Sequence, residues 1–486
     1  MRQSTRTLLT LVALLALAGG VGLYAWKGVY AEDQAKADRT EHELKAISSR
    51  PLGAALAPDA GEPPLDFTRL AVTVEGQPSV LERDPAGAWR LTAPVAARAD
   101  QAVVEGLVSQ LRSARFKAAL DEHPDPATLA RYGLDHPRFT VEAQAVVGEA
   151  RTPRTLTLQG GIENSFDGSV FVRRDGQDAV YAAEGALRWA VAKPPFELRD
   201  KQVLALPEAQ LQALTVKGPT AAWTLERDPA GRWAVTRPFS DLAEAPQVSA
   251  LLSGAAGERA LAFPPSPEAL RPLFARPVLT ATATLKGGGQ VVLRLARPPG
   301  DAGDRWYALR EEAGAEVLAE VASTALGRLD TAAAELKDRA VLRFEREAVA
   351  RVVLRGPQGE VVLARVQADA SADTWQVLAP RAGKARAFKV SSLLWTLAGL
   401  RASRWDGPPK DWSRLGVGPG SRAVRLEDAA GAELASLTVG AAAPAPATTT
   451  AVRGSKPEVA QVESQRLAEL PFAVEDLLEP PPDAGP

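Results

Sequence analysis

The sequence predicts an α+β protein in which an N-terminal transmembrane helix precedes three tandem repeats of mainly antiparallel sheet with helices, joined in an elongated chain. Two observations support this prediction. Residues 7–26 contain no charged side chain, and two nearly identical segments, LERDPAGAW at 81–89 and LERDPAGRW at 225–233, recur along the chain. Strand signals alternate with turns too short for the crossovers of a parallel sheet, so we expect antiparallel pairing.

The composition limits both the architecture and the class of function. A chain of 486 residues exceeds one ordinary hydrophobic core, and at roughly 100 to 200 residues per domain it should divide into about three units. Its 57 basic and 59 acidic residues lack the basic excess typical of nucleic-acid binding, so no nucleic-acid partner is expected. The absence of cysteine and the presence of only three histidines leave few groups for catalysis or metal binding. We therefore expect no enzyme activity, no cofactor and no metal.

Residues 7–26 predict the transmembrane helix. At about 1.5 Å per residue this segment spans about 30 Å, which matches the core of a bilayer. Tyr24 and Trp26 fall where an interfacial aromatic belt would lie. A cleaved signal peptide is the alternative, because residues 16–18 have the small-x-small form of a cleavage site. The apolar run continues past that point to Trp26, which favours an uncleaved signal anchor.

The charges beside this helix predict its orientation. Residues 1–6 are short and basic, so we expect them to stay in the cytoplasm while the remaining chain crosses the membrane. The expected location is the bacterial inner membrane, with one span and with the bulk of the chain in the periplasm. Residues 27–66 are polar and then rich in Ala, Pro and Gly, which predicts a juxtamembrane stalk.

A tryptophan marks each repeat. Trp89, Trp233 and Trp375 recur at nearly equal spacing, and five residues after them stand Pro94, Pro238 and Pro380. Each proline should end its strand, because it lacks a hydrogen-bond donor. An apolar helical stripe follows in every copy, at Val104, Leu107, Val108 and Leu111, at Val248, Leu251, Leu252 and Ala255, and at Val390, Leu393, Leu394 and Leu397. This register predicts repeat units at 67–208, 209–347 and 348–479, and we expect a disordered tail at 480–486.

The end of each repeat carries the charged residues that are candidates for interaction. A short helix and an extended exit are predicted at 196–201, 334–339 and 472–476. The first two exits contain Arg199, Asp200 and Lys201, and Lys337, Asp338 and Arg339. These side chains could contact lipid headgroups or a partner, but we favour a salt bridge at a domain junction or a solvated turn. The Ala/Pro/Thr stretch at 441–450 is predicted to be a long hairpin loop within the third repeat.

Two other groups of residues are candidate sites. Asp121 and Asp125 lie beside His123, with Asp135 and His136 nearby, which gathers carboxylates and imidazoles. The histidines lack helical metal-ligand spacing and stand among prolines, so we favour a structural role. The three repeat tryptophans could stack on a ligand, but their recurrence at one position is more typical of a core residue.

The first repeat carries motifs that resemble a known family. A hairpin with Gly-x-Trp is followed by a proline, by Ala99-Asp100 opening a helix, by Tyr-Gly-Leu at 132–134 and by Leu-Arg-Asp-Lys at 198–201. This pattern resembles the domain-of-unknown-function family 4340, whose members have an N-terminal membrane helix and repeated domains. The second and third repeats depart from it, because Glu244 and Arg386 replace the Asp100 of the motif.

The resemblance implies a role beside an ABC transporter of the gliding-motility type. The expected partners are the membrane, an ABC permease and its ATPase, and a second extracytoplasmic subunit. No Gly-x-x-x-x-Gly-Lys-Ser/Thr loop occurs, so ATP hydrolysis would belong to a partner. We therefore expect a non-catalytic cell-envelope scaffold or accessory subunit. The alternative is a periplasmic module that binds lipid or cell-wall polymer.

Overall fold

The computed structural model describes residue 34 and residues 66–480 except 114–115, 148–150, 175–176, 299–304, 367–373, 409–410, 419, 445–446 and 455–456. The predicted cytoplasmic end, the transmembrane helix at 7–26, nearly all of the stalk and residues 481–486 of the tail lie outside this part. None of the helices that are described is both long and apolar enough to cross a bilayer. The anchor therefore stays a prediction from sequence.

The chain forms two compact units. Unit 1 contains the described residues up to Val203 together with Arg259–Ser266 and Ala319–Val321. Unit 2 contains Leu204–Glu258, Pro267–Leu318 and the described residues from Ala322 onward. Unit 2 thus holds most of the second repeat and all of the third.

The first sheet has nine strands in the order β4-β3-β2-β1-β6-β7-β8-β9-β5. Its strands are β1 Asp66–Val74, β2 Gln77–Arg83, β3 Trp89–Ala93, β4 Ala97–Arg98, β5 Phe116–Asp121, β6 Phe139–Val147, β7 Thr152–Glu163, β8 Val170–Arg174 and β9 Val180–Ala183. Its helices are α1 Gln101–Ser113, α2 Pro126–Arg131, α3 Gly185–Val191 and α4 Pro195–Leu198.

The second sheet has eight strands in the order β13-β12-β11-β10-β14-β15-β16-β17. They are β10 Leu211–Lys217, β11 Ala222–Arg227, β12 Trp233–Arg237, β13 Asp241–Leu242, β14 Leu279–Leu285, β15 Gln290–Ala296, β16 Trp306–Glu312 and β17 Ala315–Val321. The helices are α5 Ala245–Gly257, α6 Pro267–Leu270 and α7 Thr324–Leu329, with 3-10 turns η1 Glu208–Gln210, η2 Arg271–Ala275 and η3 Ala333–Glu335.

The third sheet repeats the nine-stranded order as β21-β20-β19-β18-β23-β24-β25-β26-β22. Its strands are β18 Arg351–Gly356, β19 Gly359–Val366, β20 Thr374–Ala379, β21 Gly383–Lys384, β22 Ala402–Gly407, β23 Ala423–Glu427, β24 Glu433–Pro444, β25 Ala447–Arg453 and β26 Glu458–Glu463. The helices are α8 Ala387–Ala398, α9 Ser464–Ala468 and α10 Val474–Leu477, with η4 Arg346–Ala348 and η5 Trp412–Leu415.

The shared order of the three open sheets confirms the predicted α+β repeat with antiparallel pairing. Paired strands within the sheets run antiparallel, including β24 with β25. The 441–450 stretch lies inside the third repeat as predicted, but the prediction of a long hairpin loop is wrong. Residues 441–444 and 447–450 belong to β24 and β25 and pair with each other across the hairpin. The connections are short, so neighbouring strands in sequence become neighbours in space. The same sequence pattern thus folds three times into one strand order, except that the described part of the second sheet has only the isolated bridge Ala262↔Glu320 where the other two have β5 and β22.

Each repeat tryptophan lies in the core beside an arginine on the neighbouring strand. Trp89 is paired with Arg83, Trp233 with Arg227, and Trp375 with Arg365 in the sheet register. The guanidinium carbons stand 5.0, 4.3 and 5.2 Å from the respective ring centroids. All three tryptophans are buried. They therefore pack as core residues with a cation over one face of the ring.

The long helices α1, α5 and α8 cover the sheets through the predicted apolar stripes. Every stripe position is buried on each of the three helices. Burial of one such aliphatic side chain contributes roughly 1.5–3 kcal/mol, so these stripes hold the helices against the sheets.

The exit of the third repeat lies later in the chain than predicted. In the first two repeats the isolated bridges Ala99↔Arg199 and Ala243↔Lys337 place the exit beside the strand that leads into the long helix. In the third repeat the equivalent bridge is Ala385↔Leu478, which lies beyond 472–476. The predicted bounds 472–476 are therefore wrong, because backbone pairing sets the register and places the exit at Leu478.

Candidate interaction site at the repeat junctions

The exit segments bring the candidate interaction residues to the start of the long helices. Asp200 N–H donates to the Arg98 carbonyl at 2.9 Å, and Asp338 N–H donates to the Leu242 carbonyl at 2.9 Å. Because these bonds hold the exit antiparallel to the strand before α1 or α5, the charged side chains emerge at the edge of the sheet. We call this edge, with the segment that contacts it, the junction.

A further backbone bond extends each junction onto the segment that follows the next long helix. In unit 1, Ala260 N–H donates to the Lys201 carbonyl at 2.9 Å. In unit 2, Ala402 N–H donates to the Arg339 carbonyl at 2.7 Å. Ala260 and Ala402 occupy the same position in their repeats, counted from the repeat tryptophan. The junction is therefore a repeated feature of the fold.

A cation packs over an aromatic ring in both junctions. In unit 1 the guanidinium carbon of Arg199 lies 3.5 Å from the ring centroid of Phe263. In unit 2 the ammonium of Lys337 lies 4.4 Å from the ring centroid of Trp405. Burial lowers the pKa of Arg199 from its ordinary value. Both contacts match the geometry of a cation–π interaction, which strengthens when water is excluded.

An acidic residue pairs with an arginine in both junctions as well. Asp100, at the start of α1, lies 3.3 Å from Arg259 in unit 1. Glu244, at the start of α5, lies 2.6 Å from Arg401 in unit 2 and accepts the Arg339 N–H at 3.0 Å. The two arginines, Arg259 and Arg401, occupy equivalent positions counted from their repeat tryptophans. The junction thus combines one ion pair and one cation–aromatic contact in both units.

Unit 2 adds a buried ionic cluster to its junction. Asp241 lies 2.6 Å from Arg453, 2.7 Å from Arg343 and 3.4 Å from Lys337. Glu458 also contacts Lys337 and Arg453. The Lys337 residue is only 4% exposed. Two carboxylates from different repeats are therefore held by three cations.

The cluster controls the protonation of its central carboxylate. Burial by itself would raise the pKa of Asp241, but hydrogen bonds from Arg453 and Arg343 outweigh it and lower the pKa to about 2. Asp241 is thus ionised at neutral pH, and its charge is compensated inside the fold. A buried ion pair contributes little net stability, yet it specifies which surfaces fit together, because either partner left alone would be a buried charge.

Two clefts in unit 2 are large enough to consider as binding sites. One has a volume of about 420 Å³ and lies at the junction, lined by Glu244, Gln247, Arg339, Arg401, Ser403 and Arg466 among others. The other has a volume of about 760 Å³ and lies in the third repeat, lined by Gly416, Arg422, Val439, Thr449, Ser464 and Leu467 among others. The first is rich in arginine, and the second mixes apolar side chains with hydroxyl groups.

The remaining candidate interaction residues also make local contacts. Asp200 lies 2.9 Å from Arg98, and Lys201 donates to the Glu197 carbonyl at 3.2 Å. Asp338 lies 3.0 Å from Arg343. Exit side chains therefore take part in the structure of the junction, while Arg339 lines the smaller cleft.

His123 and His136 are placed in exposed turns. Asp121 accepts the His123 N–H at 3.1 Å, Asp135 accepts the His136 N–H at 2.9 Å, and Asp125 caps helix α2 by accepting the Thr128 N–H at 2.7 Å. These carboxylates satisfy backbone donors at turns and at a helix start. Across the part of the chain that the structure describes, no group of three or more His, Asp or Glu has the arrangement of a metal site.

Sequence reasoning does not find the partners of the exit residues. Local patterns leave Phe263, Trp405, Arg259, Arg401 and Asp241 unmarked, although the first four form two pairs at equal offsets from their repeat tryptophans. A position-by-position comparison of the second and third repeats beyond their long helices would find both pairs.

Comparison with known proteins identifies a family and no characterised relative. The family model described as a domain of unknown function (DUF4340) matches residues 89–273 and 375–481. No curated protein matches the chain. The two matched ranges begin at Trp89 and Trp375, so each starts at a repeat tryptophan.

Proposed function

The chain belongs to the DUF4340 family, and from this membership we propose that it is a non-catalytic extracytoplasmic scaffold, anchored in the bacterial inner membrane. Its role is that of an accessory subunit of an ABC-type transport system of the gliding-motility kind. The partners are the permease and its ATPase, together with a second extracytoplasmic subunit. The apolar run at 7–26 supports the anchor.

The junction in unit 2 is the observation that carries this proposal. Asp241 of the second repeat and Arg453 of the third contact each other at 2.6 Å. Arg339 and Ala402 join the same repeats through a backbone bond of 2.7 Å. Because backbone, ionic and aromatic contacts all cross this junction, bending it would break several of them at once. A scaffold needs neighbouring domains held in this way, since it must present surfaces at fixed positions.

The cleft in the third repeat supports a second candidate function. Its volume of about 760 Å³ falls within the range of about 300–1,000 Å³ that is typical of small-molecule sites. Val439 and Leu467 supply apolar surface, while Arg422 and Thr449 supply polar groups. Such a lining suits a lipid or a cell-wall polymer fragment, so a periplasmic binding module is the alternative.

Affinity purification of the full-length chain, extracted from membranes of its own cells after crosslinking, tests the two functions. We expect mass spectrometry to find an ABC permease, its ATPase and a second extracytoplasmic protein. Arg422→Ala, in the cleft of the third repeat, is the matched control and should leave this recovery unchanged. Recovery of lipid or glycan without transporter proteins, lost in the Arg422→Ala variant, would refute the scaffold and support the binding module.

A further inference from the structure

The third repeat presents a junction edge of its own. Its backbone pattern is that of the first two, because Arg386 N–H donates to the Leu477 carbonyl at 2.8 Å. The equivalent backbone bonds run from Asp100 N–H to the Leu198 carbonyl at 2.9 Å and from Glu244 N–H to the Leu336 carbonyl at 2.8 Å. Glu479 N–H likewise donates to the Lys384 carbonyl at 2.9 Å. The third junction edge is thus built on the same frame.

The side chains on this frame differ in charge from those at the same positions of the first two edges. Counted from the repeat tryptophan, Arg386 occupies the position where the earlier repeats carry the carboxylates Asp100 and Glu244. Leu478 occupies the bridge position of Arg199 and Lys337. The first two edges receive an arginine and an aromatic ring. An edge with a cation and an apolar side chain is complementary to a carboxylate and an apolar surface instead.

Helix α8 adds exposed aromatic side chains beside this edge. Phe388 is 79% exposed and Trp395 is 63% exposed. They are two helical turns apart and therefore share one face of the helix, about 10.5 Å from each other along its axis. The equivalent positions are Ala102 and Ser109 on α1, and Pro246 and Ser253 on α5. Only the third repeat has large aromatic groups here.

One cation contacts the aromatic pair, and a second is next to it in sequence. The guanidinium carbon of Arg346 lies 3.7 Å from the ring centroid of Trp395. Lys389 is exposed on α8, and its counterpart Gln247 on α5 lines the junction cleft against the third repeat. The start of α8 therefore corresponds to the side of α5 that faces the third repeat in unit 2. We call Arg386, Phe388, Lys389 and Trp395 the α8 face.

We propose that the α8 face docks a separate protein, whose contacting surface carries a carboxylate opposite Arg386 and an apolar socket for Phe388 and Trp395. This proposal deepens the scaffold function and rests on it. Trp and Arg are among the residue types that most often dominate binding energy at protein interfaces. A second copy is disfavoured, because the first repeat carries Arg115 at the sequence position of Arg259 and Arg401, and docking in that register would oppose two cations.

Photo-crosslinking in the native cells tests the proposal. The full-length chain carries p-benzoylphenylalanine at position 388, and a matched chain carries it at position 102, the equivalent exposed position on α1. We expect one protein crosslinked from position 388 and not from position 102. Arg386→Glu, which restores the residue type of Glu244, should reduce the crosslink at least tenfold. Reversing the carboxylate of the identified partner to arginine should recover it in the Arg386→Glu background.

Further variants separate a failed docking face from a failed scaffold. Phe388→Ala with Trp395→Ser reproduces the side chains of α1, so it should fold, as circular dichroism can verify, yet lose the partner. Co-purification of transporter proteins that survives this double variant would overturn the α8 face while leaving the scaffold intact. Failure to recover transporter proteins with the unaltered chain would overturn both the α8 face and the scaffold. Crosslinks from position 388 to lipid or to another copy of the chain would also overturn the proposed partner.

Discussion

Lys337→Met tests whether the buried cluster holds the second and third repeats together. The substitution keeps the approximate length of the side chain and removes its charge. Lys337 contacts Glu458, lies 3.4 Å from Asp241 and packs 4.4 Å from the ring centroid of Trp405. Methionine can fill the space over the ring, so the expected loss comes from the charge.

The magnitude follows from the contacts that remain. Loss of a charge-assisted hydrogen bond costs about 1.5–3 kcal/mol, and a desolvated cation–π contact is worth about 2 kcal/mol. Asp241 keeps Arg343 and Arg453, at 2.7 and 2.6 Å, and Glu458 keeps Arg453, so neither carboxylate is left without a cation. Because no carboxylate is left uncompensated, we expect Lys337→Met to lower the free energy of unfolding by about 2–4 kcal/mol, less than the about 3–5 kcal/mol seen when a buried charge loses its only partner.

Urea unfolding of the full-length chain in detergent, followed by tryptophan fluorescence, measures this change. Lys384→Met is the matched control, because the Lys384 side chain is 64% exposed although it lies 3.1 Å from Glu479. An exposed pair contributes about 0–1 kcal/mol, so the control should barely shift the midpoint. Hydrogen exchange should rise in β25 and β26 of the Lys337→Met chain only. Equal midpoints for the two variants would refute the role assigned to the cluster.

Three further predictions concern pH, glycine contacts and the core. The pKa of Asp241 is lowered from 3.8 to about 2, so the ionised carboxylate stabilises the fold above about pH 4, and this stabilisation is lost as pH falls toward 2. Asp241→Asn should abolish this part of the acid dependence of the urea midpoint, and an unchanged acid dependence would contradict the assignment. Gly160→Ala should lower the free energy of unfolding by about 1–3 kcal/mol, because a methyl group there would clash with the ring of Phe139. Gly106→Ala on helix α1 is the matched control: its methyl group meets no atom within 4 Å, so the variant should be neutral or stabilising. Trp375→Ala should cost about 3–5 kcal/mol in the same unfolding assay, and a loss below about 1 kcal/mol would contradict its place in the core.

Local periodicity makes the repeated architecture predictable. A tryptophan strand, a proline shortly after it and a helical stripe are encoded by neighbours in sequence, so the residues alone indicate them. Trp89 and the stripe residue Val104 are both buried as this pattern predicts. The antiparallel pairing follows for the same reason, because short turns join adjacent strands.

The junctions are less accessible to sequence reasoning. Arg199 and Lys337 are recognisable as charged exits, but their aromatic partners Phe263 and Trp405 lie far along the chain, beyond the next long helix. No local pattern relates residues at such separations. The third exit is mispredicted for a similar reason, since the bridge from Ala385 to Leu478 depends on backbone pairing across the repeat.

By itself the sequence determined the number of repeats, the stripe of each long helix and the class of fold, because each depends on spacing within a short segment. Only the tertiary structure decided that Asp241 meets Arg343, Arg453 and Lys337, and that Leu478 takes the bridge position of Arg199 and Lys337. Ion pairs and docking edges are set by the three-dimensional packing of distant segments, and the energy of a charge depends on what surrounds it in space.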